Sequence, residues 1–443
     1  MNRHLLMVAY QCGPDMGSVS QIGWEWYSRM ARRRPVTLIT HSRNRVAIEA
    51  RGGVLPGSEI HYIDTEWLAG PLYRMACRLF PGREHAIFLL SSLDYFLFDR
   101  LALRLARRWH KEGASWGAVH VPTPVSSAAG SCLDRLGLPL LRGPLNCGLG
   151  NPAGFDRILQ QESQWLNVGR RLGQWWSAWL ERQIPRRVTL TATRATRQVL
   201  PPVQRAQSMM LLENGIDPEQ FVPSPWPARP GPSQPLRVLF VGRMLAMKGV
   251  EFLLRAVARL IHDEGINVEL TLAGDGARRR EFEKLAAELN IADACKFTGN
   301  LPLRLVPELM RECHVFCLPS VRESGGAVLL EAMACARPVI AFNYGGPAEL
   351  VTPQTGVLLD AANPAELVDG LKRSLFDCYR NPQHWDAMGR AGAALLHAPH
   401  QLGFSWEDKL DIAEELYASL AESESVQLSG LPVAGSCKQQ VSL

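Results

Sequence analysis

The chain has 443 residues, a formal charge of +5, 47% hydrophobic and 21% charged residues. That length exceeds one ordinary domain, and the composition is that of a globular protein. The mildly basic balance favours phosphates or an anionic membrane face without amounting to a nucleic-acid signature. Ten cysteines are scattered with no C-x-x-C pair, which argues against a zinc or disulfide framework. No secretory signal and no apolar run of membrane-spanning length is legible, so a reducing, cytoplasmic compartment is expected.

In chain order, Leu5 to Tyr10 reads as a buried parallel strand, followed by a loop holding Gly13 and Gly17 and then a helix from Ile22. A glycine loop there permits close ligand approach, but G-x-G-x-x-G is absent and a plain tight turn fits equally. Asp99 to Trp109 has helical period with a basic face that includes Arg104. Trp116 to Pro122 reads as a strand carrying His120, followed by Gly-Pro-Leu-Asn at 143–146. Residues 156–187 combine Trp165, Trp175, Trp176 and Trp179 with several arginines. That mixture suits either a membrane interface or a helical hairpin packed on the domain. Six prolines between 223 and 235 read as a linker.

From 236 to about 395 strands and helices alternate, the pattern of a parallel sheet. Arg243 and Lys248 stand five apart between strand 236–241 and a helix beginning near Val250. Two cations beside a helix N-terminus can hold two phosphates. The run His314 to Leu318 is a strand closed by Pro319. Arg322-Glu323-Ser324-Gly325-Gly326 forms a polar turn, and Ala327 to Ala336 a helix that carries Glu331. The amides at that helix start favour an anion, while Glu323 and Glu331 suit sugar or ribose hydroxyls. An ordinary strand–helix crossover with a solvated glutamate accounts for the turn taken alone. Ser405 to Tyr417 is an amphipathic helix, and 422–443 is polar and reads as disordered.

The Gly-Arg-x4-Lys-Gly run at 242–249 and the two-glutamate stretch at 323–331 resemble family-4 retaining glycosyltransferases (glycosyl transferases group 1), and the order strand, His120, Thr-Pro, then Gly-Pro-Leu-Asn-x-Gly at 143–148 resembles the subgroup that works on polysaccharides and lipid-linked saccharides. The resemblance implies an α/β chain of GT-B fold, two facing Rossmann-like domains with a cleft between them. Implied bounds are 1–222 for the acceptor domain, 223–235 for the linker and 236–400 for the nucleotide-sugar domain, with a helix at 403–421 crossing back onto the first domain. Implied roles place Arg243 and Lys248 on the donor diphosphate, together with Gly17, Ser324, Gly325, Gly326 and Ala327. Glu323 would hold the donor sugar, Glu331 the ribose, and His120 the transferring sugar. The implied reaction is metal-independent hexosyl transfer from a nucleoside diphosphate sugar, UDP or GDP first, with no cofactor. The implied acceptor is a saccharide or lipid-linked saccharide, with no nucleic-acid partner, and the enzyme would lie in the cytoplasm, peripheral on the inner face of the plasma membrane. The sequence departs from the family pattern at Ser324-Gly325-Gly326, Val19 and Cys147. A catalytically silent nucleotide-sugar-binding partner and a GT-B sugar-nucleotide epimerase are the competing readings.

Overall fold

A computed structural model describes residues 4–79, 92–160, 186–398 and 403–422. It divides into two units, each built on one parallel sheet. The first holds the described residues of Met1–Gly148, Glu162–Glu213 and Trp406–Ala434; the second holds those of Leu149–Gln161 and Asn214–Ser405.

In the first unit the strands are β1 (Leu5–Ala9), β2 (Val36–His41), β3 (Glu59–Ile63), β4 (Ala118–Thr123), β5 (Leu140–Leu145), β6 (Arg187–Thr191) and β7 (Ser208–Met210). Their order is β3-β2-β1-β4-β5-β6-β7. The run Leu5–Ala9 is apolar throughout because both faces of a parallel sheet are covered. Successive side chains go to opposite faces. Leu5, Met7 and Ala9 join a core with helix α1 (Ser18–Arg33). Leu6 and Val8 join another, with Phe98, Ala102 and Ala106 of a later helix. Before that helix comes α2 (Glu66–Leu79), and the helix itself is α3 (Tyr95–Lys111).

The C-terminal helix, Trp406–Glu422, belongs to this unit. Trp406, Leu410, Leu416 and Tyr417 enter the core beside β1. Arg33 of α1 is bound by Asp411 at 2.6 Å and by Glu407. Lys409, which reads as a polar-face residue, is fully buried and donates from Nζ to the Leu212 carbonyl at 2.7 Å. Burial pushes its ammonium down to about 7. The unfolded chain therefore binds the extra proton above that value, and Lys409 contributes stability that rises with pH. Lys409→Met is expected to lose this gain between about pH 7 and pH 9, read as a parent melting point that climbs relative to the variant's across that range.

The second unit orders its strands β10-β9-β8-β11-β12-β13, again parallel: β8 (Leu236–Val241), β9 (Val268–Ala273), β10 (Cys295–Gly299), β11 (Val315–Leu318), β12 (Val339–Phe342) and β13 (Gly356–Leu359). Helix α4 (Val250–Glu264) follows β8, and α5 (Ala327–Ala334) follows β11. The order reverses between β8 and β11, and in open parallel sheets ligands bind beyond the strand ends at such a point.

The proline-rich stretch 223–235 has no helix, as its prolines require, but it is not a free linker: it clusters with the second unit. Buried Arg337 donates to the Pro225 carbonyl at 2.9 Å, and Trp226 donates to the His314 carbonyl at 2.8 Å. The Trp/Arg stretch expected at 156–187 lies largely outside the described residues. Among those residues no helix is long and apolar enough to cross a membrane.

Candidate active site

Four loops of the second unit are laced together at the switch point. The loop after β8 meets the loop after β11 through a bond from the Val321 amide to the Met247 carbonyl, 2.9 Å. Gly249 fastens the same two loops at φ 72°, where an added Cβ would sit 2.2 Å from the Pro319 carbonyl. Any side chain there would push the loops apart. The loop after β9 joins through a bond from the Met244 amide to the Asp275 carbonyl, 2.8 Å. The turn after β12 closes against the polar turn: the Gly346 amide donates to the Glu323 carbonyl at 2.8 Å.

This lacing brings two of the expected residues into direct contact. Lys248 Nζ lies 2.5 Å from Glu323 Oε2, with only 17% and 14% of the side chains exposed. The sequence resemblance assigned the lysine to phosphate and the glutamate to sugar; here each satisfies the other. Burial alone would raise the Glu323 carboxyl, yet Lys248 and the amides of Gly326 and Gly325 hold it below its ordinary value. The Gly326 amide reaches Glu323 Oε1 at 3.4 Å. Ser324, Gly325 and Gly326 form the turn before Ala327, the first residue of α5. Arg243 lies on the Lys248 loop, exposed, with no side-chain hydrogen bond or ion pair to any described residue.

Glu331 stands on α5, half-buried, and its carboxyl has no hydrogen-bond or ion-pair partner among the described residues. Burial pushes it up to about 7. A carboxyl raised in the folded state penalises folding increasingly as pH climbs from its unfolded value toward 7. Glu331→Gln is therefore expected to stabilise the ligand-free chain by roughly 1–3 kcal/mol at pH 8, with little change near pH 4.5. Melting curves at the two pH values check it.

Two expected residues lie in the first unit. Gly17 immediately precedes α1, with φ 104° and no atom within 4 Å of an added Cβ. His120 requires a correction. It lies inside β4 and is fully buried. Its Nε2 is 3.0 Å from the Gly143 carbonyl and its Nδ1 is 2.8 Å from the Tyr417 hydroxyl. The carbonyl can only accept, so Nε2 carries the hydrogen and Nδ1 accepts from Tyr417. Burial pushes the imidazole down to about 4, so it is neutral at physiological pH. Neither nitrogen is free for a sugar hydroxyl; the ring ties β4 to β5 and to the C-terminal helix.

The segment after Gly148 docks within the second unit. Leu149 packs on the Gly345 turn, Asn151 Oδ1 accepts from Arg322 at 3.4 Å, and Phe155 packs 5.2 Å from Phe342. Its Gly-Leu-Gly-Asn-Pro composition signalled a loop and nothing of where it docks. Ser320, which opens the polar turn, is buried with its hydroxyl unbonded among the described residues. Those residues hold no group of three His, Cys, Asp or Glu arranged for a metal ion.

The model of the family Glycosyl transferases group 1 matches residues 227–391. The chain is 31% identical over 180 residues to an alpha-D-kanosaminyltransferase of Streptomyces kanamyceticus, covering 40% of this chain and 45% of that protein. It is 34% identical over 203 residues to a D-inositol 3-phosphate glycosyltransferase of Thermomonospora curvata, covering 44% and 45%. The chain thus spans about half the length of the curated relatives it matches. The crystal structure of HepE from Anabaena in complex with UDP and glucose superposes with a TM-score of 0.60 at 17% identity, over 94% of this chain and 99% of that one. This likeness shows the fold: α/β, of the GT-B type expected from the sequence.

Proposed function

Since residues 227–391 belong to the glycosyl transferases group 1 family, we propose that the chain transfers a sugar from a nucleoside diphosphate to a hydroxyl of a saccharide or lipid-linked saccharide, with retention at the anomeric carbon. The observation that carries this reading is the Lys248–Glu323 pair beside the start of α5, with Arg243 unengaged by any described residue on the same loop. A diphosphate takes Lys248 from Glu323, engages Arg243, and meets the amides at the start of α5. The released Glu323 then accepts from donor-sugar hydroxyls. Glu331, raised and without a partner among the described residues, accepts from the ribose diol. UDP is the first candidate, because UDP occupies HepE.

In the reaction the bond from the anomeric carbon to the phosphate oxygen breaks, and a bond from that carbon to the acceptor oxygen forms on the same face. The departing phosphate oxygen takes the acceptor proton. Charge grows on the leaving diphosphate, and fixed cations and helix-start amides stabilise it without a metal. The proposed setting is polysaccharide synthesis at the inner face of the plasma membrane.

A melting-point panel of UDP-, GDP- and ADP-sugars tests the reading, since a ligand held only by the folded chain stabilises it by mass action. One nucleotide class is expected to raise the melting point, and Glu331→Gln to diminish that rise. Isotope-labelled donor with lipid extract should then give a labelled product whose anomeric configuration matches the donor. Binding without turnover would mark a silent partner instead, and donor conversion without acceptor an epimerase.

A further inference from the structure

The first unit carries a surface that the transfer reaction does not use. Helix α2 turns its small side chains inward: Ala69 and Ala76, seven residues apart, are its buried positions. On the opposite face, at helical spacing, stand Trp67, Pro71, Arg74 and Arg78, with Met75 and Leu79 exposed along one flank of it. Trp67 is 68% exposed and Leu79 61%. A helix packed only for the fold would show the reverse arrangement, large apolar groups inward and small or charged ones outward. Its one acid, Glu66, lies off this face and is bound to Arg43 at 3.0 Å. The outward face therefore combines indole, thioether and leucine with two guanidiniums and no carboxylate. Helix α2 also packs on the short turn Ser92–Asp94, where Leu93 is exposed. That turn leads into α3, whose exposed Arg100, Arg104 and Arg107 form a second stripe at helical spacing.

We propose that the outward face of α2 is a docking surface for an anionic lipid bilayer. Trp67, Met75 and Leu79 enter the headgroup boundary, and Arg74 and Arg78 reach the lipid phosphates. The α3 stripe adds longer-range attraction. This deepens the membrane placement proposed above and rests on that part of it alone.

The test is flotation of the full chain with vesicles of phosphatidylcholine, with and without phosphatidylglycerol, at low and high salt. Binding to the anionic vesicles is expected, weakened by salt. Trp67→Ser/Leu79→Ser, by losing apolar insertion, and Arg74→Glu/Arg78→Glu, by reversing two charges at a charged interface, should each cut the bound fraction about tenfold or more. Their melting points should stay at the parent value, because these side chains are exposed. No flotation of the parent chain overturns the proposal, as does equal flotation of parent and both variants. So does a loss confined to Arg100→Glu/Arg104→Glu. A concentration-dependent dimer, dispersed by Trp67→Ser/Leu79→Ser and blind to vesicles, would assign the face to a second copy instead. No donor is present in the assay, so failed sugar transfer and failed docking are read separately.

Discussion

Lys248→Ala is expected to lower kcat/KM by about 10²–10³-fold, the loss typical of removing one fixed charge from a developing anion. The chain should still fold, because the loop that holds Lys248 is fastened by backbone bonds at Met247 and Met244 rather than by the lysine side chain. Stability should nevertheless fall by about 1–3 kcal/mol, since Glu323 loses its cation in a largely covered site. Burial then pushes its carboxyl upward, the direction Lys248 now opposes. Adding Glu323→Gln should restore the melting point and leave turnover low. This split separates the contact of Lys248 with Glu323 from the phosphate contact proposed for it. Full activity in Lys248→Ala would remove the phosphate assignment.

Ending the chain at Ser405 is expected to abolish soluble, cooperatively folding protein. The truncation removes Trp406, Leu410, Leu416 and Tyr417 from the core beside β1. Each such loss typically costs about 2–5 kcal/mol, against a total stability of about 5–15 kcal/mol. It also leaves Arg33 without Asp411, the Leu212 carbonyl without Lys409, and His120 Nδ1 without a donor. Soluble yield and the cooperativity of thermal unfolding measure it; a truncated chain that melts in one sharp transition would contradict the packing. Tyr417→Phe is the mild counterpart and should cost about 1 kcal/mol, one hydrogen bond.

The strand–helix alternation was legible because parallel strands buried on both faces must be apolar throughout, as Leu5–Ala9 and Val339–Phe342 are. The loops at residues 242–249 and 319–327 were legible because each follows such a strand and leads into a helix. What those loops do to one another was not. Lys248 and Glu323 are 75 residues apart, and only the fold makes them neighbours. His120 illustrates the converse: its place on a strand could be read, but its two hydrogen-bond partners come from β5 and from a helix 297 residues later. Lys409 was hidden for a related reason. Charge alone marks a lysine as solvent-facing, and nothing local announces that the Leu212 carbonyl awaits it.

The path of the backbone has a consequence for protein engineering. It leaves the first unit after Gly148, returns to it in time for β6, leaves again after Glu213 and comes back at Trp406. Neither unit is one continuous stretch of gene. A chimaera made by a single splice at the proline-rich stretch would keep Leu149–Phe155 from one parent and the surfaces it packs against, Gly345, Phe252 and Phe342, from the other. Recombinants meant to exchange the second unit must transplant this inserted segment together with residues 214–405, or they will pair two halves that never matched.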